Sequence, residues 1–88
     1  MRFPCPCCGY LTFYETPSGT FKICPVCFWE DDNTQNENSN YEGGANGISL
    51  NQAKKNFAIL GAIQEKFVGE VRKPLPNEIP GEIGGHNT

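Results

Sequence analysis

Histidine is nearly missing from this sequence: one, His86, stands among 88 residues. That leaves little room for metal sites that mix imidazole with sulfur, and it removes the commonest general base from the catalytic repertoire. Cationic side chains are also in deficit, with seven Lys+Arg against ten Asp+Glu and a net charge of −3. A protein that grips nucleic acid through phosphates carries a basic stripe, which this balance does not supply. No apolar run approaches the ~20 residues needed to cross a bilayer. The opening Met1-Arg2-Phe3-Pro4-Cys5 lacks the apolar stretch of a signal peptide. The expectation is therefore a cytoplasmic protein with no membrane association, where thiols stay reduced. Length is short as well. A chain of this size buries only ~60% of its unfolded surface, so its core needs a staple.

Cysteine is what the chain has instead. Four of its five cysteines fall in two C-x-x-C pairs, Cys5-Pro6-Cys7-Cys8-Gly9 and Cys24-Pro25-Val26-Cys27, with fifteen residues between them. Each C-x-x-C turn brings two sulfurs to one side of a tight loop. Two such turns complete a tetrahedral four-sulfur shell, and this spacing lies within the zinc window. Pro6 and Pro25 fix φ after the first cysteine of each pair, and Gly9 can take the positive φ that closes such a turn. Cys5, Cys8, Cys24 and Cys27 are the predicted ligands of one structural Zn²⁺, the staple that the short chain requires. Cys7 lies between two of them. It can replace a ligand, stand as an exposed thiol or simply pack, and a spare thiol beside the site is the reading preferred here.

Between the pairs, Tyr10-Leu11-Thr12-Phe13-Tyr14-Glu15 is aromatic-rich and reads as a strand. Thr16-Pro17-Ser18-Gly19 reads as a turn, and Thr20-Phe21-Lys22-Ile23 as the returning strand. Knuckle, strand, turn, strand, knuckle is the plan of a zinc-ribbon hairpin over residues 3–32. Residues 33–48 are Asn- and Gly-rich and read as a long polar loop. Ser49 is a fitting N-cap with Gln52 three residues on, and an amphipathic helix is expected over residues 49–68. Gly61, inside that pattern, suggests a close approach to another element. Residues 73–88, rich in Pro and Gly, read as an extended and then frayed tail. The expected fold is a small α+β zinc-stabilised domain, a ribbon followed by a packed C-terminal helix.

Several of these stretches together resemble the cysteine-rich CPCC family of small bacterial proteins. The matching residues are Cys5-Pro6-Cys7-Cys8-Gly9, Ile23-Cys24-Pro25-Val26-Cys27-Phe28-Trp29-Glu30-Asp31-Asp32, Gly43-Gly44-Ala45-Asn46, Ser49-Leu50 and Asn56-Phe57. The resemblance covers roughly residues 3–75 and implies a free-standing zinc-ribbon protein. It names no substrate.

Phe28-Trp29-Glu30-Asp31-Asp32 offers two readings. In the preferred one the aromatic residues are core, with solvated acids and Asp32 capping a turn; in the other the five form a patch for a basic partner. Gly43-Gly44-Ala45-Asn46-Gly47 can present amides to an anion at the helix start, or serve as a flexible entry. Two further patterns fail. No H-x-E precedes the Pro-Cys-x-x-Cys of a zinc deaminase signature. A calcium-loop spacing from Asp31 to Glu42 has Asn36 where glycine is needed and no preceding helix. A closed four-thiolate site with no catalytic constellation points to an interaction module for a protein partner. Nucleic-acid binding through Tyr10, Phe13, Tyr14, Phe21 and Trp29 is the alternative, and thiol chemistry at Cys7 comes third.

Overall fold

The computed structural model describes residues 2–81; His86 and the end of the expected tail lie outside them. Two similar knuckles form the centre. In the first, the Cys5 amide donates to Tyr10 O and the Gly9 amide to Cys5 O, both at 2.9 Å. In the second, the Cys24 amide donates to Trp29 O at 2.9 Å and the Phe28 amide to Cys24 O at 2.8 Å. Both knuckles close through a residue in the left-handed region, Gly9 at φ 79° and Phe28 at φ 77°. Glycine takes that conformation without cost, whereas phenylalanine does not. Phe28 is held there by packing, its ring stacked on Phe67 with centroids 4.2 Å apart.

The expected ribbon strands differ from what is found. Among the described residues the only β-pairings are isolated antiparallel bridges, Phe3 with Phe13 and Ile23 with Glu30. Residues 10–15 and 20–23 therefore pair outward, each across its own knuckle, and do not form a ladder with each other. The reason lies in the knuckles, which fold the chain back on itself and supply a local partner before a distant one is needed. Phe21 adds to this. Its amide donates to Asp31 O while the Asp31 amide donates to Lys22 O, and Phe21 has φ 60°. Two residues opposite one, the first left-handed, is a bulge that normally carries glycine.

The polar segment 33–48 is not simply a loop. It opens with a short helix, α1 (Asn33–Glu37), capped by the Asp32 carboxylate, which accepts from the Gln35 amide. Gln35 and Asn46 are buried and act as surrogate backbone. Gln35 Nε2 donates to the carbonyls of Tyr41, Asn46 and Ile48, and its Oε1 accepts from the Asn46 amide. Asn46 in turn pairs with Glu30 as a strand would, accepting from its amide and donating to its carbonyl, both at 2.8 Å. A segment too polar to make an apolar core thus builds one from satisfied amides.

The main helix, α2 (Leu50–Leu60), starts as expected at Ser49, whose hydroxyl accepts from the Gln52 amide. Gln52 does not return the capping box; its side chain donates to Asn56 instead. The helix ends well before residue 68, because Gly61 adopts φ 83° and its amide bonds Phe57 O. The glycine is a C-cap, not a point of close approach. The chain then turns, and Ala62 and Ile63 are buried, with the Ile63 amide on Cys27 O. A separate 3-10 segment (Glu65–Glu70) carries Phe67 onto the second knuckle.

The described part of the C-terminal segment is tied down where fraying was expected. The Arg72 amide donates to Pro25 O and the Leu11 amide to Glu78 O. A short 3-10 turn (Pro76–Glu78) buries Glu78. Both Arg72 (2.9 Å) and Arg2 (3.4 Å) reach its carboxylate, so one clasp joins the two knuckles to the start of the described chain.

Candidate metal centre

The two knuckles bring Cys5, Cys8, Cys24 and Cys27 together, with all four sulfurs within 4.8 Å of one another. Cys24 and Cys27 are wholly buried, Cys5 nearly so, and Cys8 is partly exposed. The Cys5 and Cys27 sulfurs are 3.6 Å apart, and those of Cys8 and Cys24 3.7 Å. Those separations exclude disulfides, whose sulfurs lie ~2.05 Å apart. They suit a tetrahedral ion: sulfurs ~2.3 Å from a common centre lie ~3.8 Å from each other. The donor set therefore fits one metal ion.

The surroundings favour negative sulfur. Backbone amides of Cys7, Val26 and Trp29 point at the sulfurs of Cys5, Cys24 and Cys27, each at 3.4 Å. The Thr12 hydroxyl stands 3.1 Å from the Cys24 sulfur, placed to donate to a thiolate. Hydrogen bonds from Cys27, Cys5 and Cys8 hold Cys24 far below the usual thiol range. The same contacts with Cys24 push Cys5, Cys8 and Cys27 upward. Four sulfurs this close resist ionising together without a cation between them. A bound cation allows all four to ionise, which is why metal affinity and folding are linked in these sites.

Cys7 is not one of the four. It is buried in the core cluster beside Cys5, Cys24 and Cys27. The five-residue partner patch does not exist as a surface, because Trp29 and Asp31 are fully buried and Asp32 is 7% exposed. Trp29 is core, its indole donating to Asn36. Its neighbours are acids with internal work. Asp31 accepts from the Gly19 and Thr20 amides, the Thr20 hydroxyl and Asn36. Burial alone would raise its pKa, but those donors outweigh burial and hold it below the ordinary carboxylate value. Asp32 is also held low, chiefly by the Ala45 amide and then by those of Gln35 and Thr34. The anion received by the Gly43-Gly44-Ala45 stretch is thus the chain's own Asp32.

Sequence reasoning missed Thr12, Gln35, Asn46 and Glu78. Glu78 alone carried a signal, as an acid set between Pro76 and Pro80. The fold and centre define a small compact domain whose four-cysteine cluster can hold a metal ion. The chain belongs to the Cysteine-rich CPCC family, whose model matches residues 3–78. Among curated proteins none matches it.

Proposed function

We propose that the four cysteines hold one structural Zn²⁺ and that the domain so stapled is a binding module for a protein partner, not a catalyst. The observation that carries this is the closed donor set. Four sulfurs at tetrahedral separations leave no position for water or substrate, which distinguishes structural from catalytic zinc. The two-knuckle frame is ribbon-like in its metal geometry, though its paired strands are reduced to single bridges. The burial of Cys7 favours packing over thiol chemistry, since reactive cysteines are accessible. A nucleic-acid role is disfavoured by charge: of the cations available for a basic surface, Arg2 and Arg72 are engaged by Glu78 and Lys22 lies 3.9 Å from Glu15.

Native mass spectrometry with circular dichroism before and after chelation tests the metal. One zinc per chain, with folding lost on its removal, is the expected result. A chain that stays folded without metal would overturn the reading and return the thiols to redox chemistry.

A further inference from the structure

The two segments that do not pair with each other leave something between them. Residues 12–15 and 22–25 line a groove of about 280 Å³ formed by Thr12, Phe13, Tyr14, Glu15, Lys22, Ile23 and Pro25. That is below the ~300–1,000 Å³ of ordinary small-molecule pockets. Its backbone is the informative part. The bonds from the Cys24 amide to Trp29 O and from the Asp31 amide to Lys22 O flank the Ile23–Glu30 bridge. In such a pair each residue turns its own N–H and C=O away from the other. Those of Glu30 are met by Asn46. Those of Ile23 make no hydrogen bond within the described residues, and Ile23 is 46% exposed. The same alternation at the Phe3–Phe13 pair, where both amides bond across, turns the N–H and C=O of Tyr14 outward and unbonded. Tyr14 is 75% exposed.

Phe21 stands at the end of this edge, 57% exposed and left-handed at a bulge position that normally carries glycine. The other left-handed phenylalanine, Phe28, is compensated by stacking on Phe67. An exposed aromatic in a strained conformation is disfavoured twice for stability, and such outliers concentrate at functional surfaces. The conformation is well supported, since Asp31 fixes Gly19 and Thr20 immediately before it. The charged groups around the groove are paired among themselves. Arg2 lies over the Tyr14 ring, 4.5 Å from its centroid, and the Arg72 amide bonds Pro25 O. Lys22 lies 3.9 Å from Glu15, and Arg2 and Arg72 both reach Glu78.

We propose that this groove docks an extended segment of a partner protein, rich in β-branched and aromatic residues, which adds as a strand along the open edge at Ile23 and packs on Tyr14 and Phe21. The unbonded backbone asks for another backbone in extended form, which is how strand addition achieves affinity. The exposed Tyr14 and Phe21 rings select apolar and aromatic side chains over charged ones. The proposal rests on the reading of the domain as a protein-binding module and names the chemistry of its partner.

The probe is a library of random twelve-residue peptides displayed on phage and selected on the zinc-loaded chain, with backbone amide exchange followed by NMR. Selected peptides should be rich in β-branched or aromatic residues, and should slow exchange at Ile23 and Tyr14. Ile23→Pro deletes an N–H that has no internal partner, so it should retain zinc and lose binding. Phe21→Gly relieves the left-handed strain; it should be no less stable yet bind at least about tenfold more weakly. If Ile23→Pro fails to fold, Phe21→Gly and the amide exchange still decide. Peptides that bind but protect another surface, such as the groove between Tyr10, Phe57 and Val68, would overturn this docking mode and leave the module reading standing. Failure to select any peptide would also overturn it. The broader reading would fall separately, if crosslinking in the native cell gave no zinc-dependent protein partner.

Discussion

Single side chains divide here by what their loss leaves behind. Cys24→Ser removes the sulfur on which Cys8, Thr12 and the Val26 amide converge, and we expect loss of both metal and folded signal in circular dichroism. Cys7→Ser should leave the zinc stoichiometry unchanged by mass spectrometry, because Cys7 stands outside the four-sulfur cluster. Thr12→Val keeps the shape but removes the hydroxyl beside Cys24. Losing a hydrogen bond to a ligand typically weakens metal affinity about 10–100-fold, and competition with a chromophoric chelator will measure it. Gly44 shows a steric limit. A β-carbon there would lie 2.6 Å from Asp32 Oδ2 and 2.7 Å from Gln35 side-chain carbons, both buried. Gly44→Ala should therefore cost roughly 1–3 kcal/mol, the range for overpacking a filled site, read from urea unfolding of the zinc-loaded chain.

Helices and knuckles obey a different limit, set by backbone conformation. Gly61 has nothing within 4 Å of where its β-carbon would stand, yet its φ of 83° ends α2. Gly61→Ala should cost about 1–2 kcal/mol through the left-handed conformation alone, and the same urea titration will show it. The sequence was informative at this scale where geometry is written in short spacings. The two C-x-x-C pairs predict the knuckles, and Ser49 predicts the helix start. It was less informative where side chains replace backbone. Nothing in the composition of residues 33–48 distinguishes Asn46, which pairs with Glu30, from a solvated asparagine. The strands were misjudged for a related reason. Alternation at residues 20–23 identifies extended chain correctly but not which neighbour it faces, and the knuckle settles that locally. The apolar pattern likewise ran past Gly61 because Ile63 and Phe67 are core residues in a different segment.

Across the whole molecule, stability should depend on three carboxylates. Asp31 and Asp32 are held low by their hydrogen bonds, and Glu78 by Arg72 first, with the Leu75 amide and Arg2 assisting. Each has a folded pKa below its unfolded value. The unfolded chain therefore takes up protons first as pH falls through ~4, and stability present above that range is lost on the way down to the folded values. Urea unfolding at a series of pH values should show this decline below about pH 5. Protonation of the thiolates also releases metal in acid, so the contribution of Glu78 is isolated by comparison with Glu78→Gln, which should show a shallower decline. An unchanged slope would mean that the clasp contributes nothing through charge.

The clasp and the cysteine cluster also differ in how much chain each must close. The Cys5–Cys27 contact spans 22 residues, whereas Arg2 and Glu78 are separated by 76. Closure entropy grows with the logarithm of loop length, so the long contact starts at a disadvantage of roughly 1 kcal/mol. A metal held by the four cysteines would also reward its own closure more strongly than an ion pair that is partly exposed to water. With the proposed ion bound, this difference favours closing the knuckles first and the C-terminal segment last. Read in reverse, the segment is the first to let go. A transiently opened molecule would keep its ion and lose its clasp, freeing Arg2 and Arg72 together.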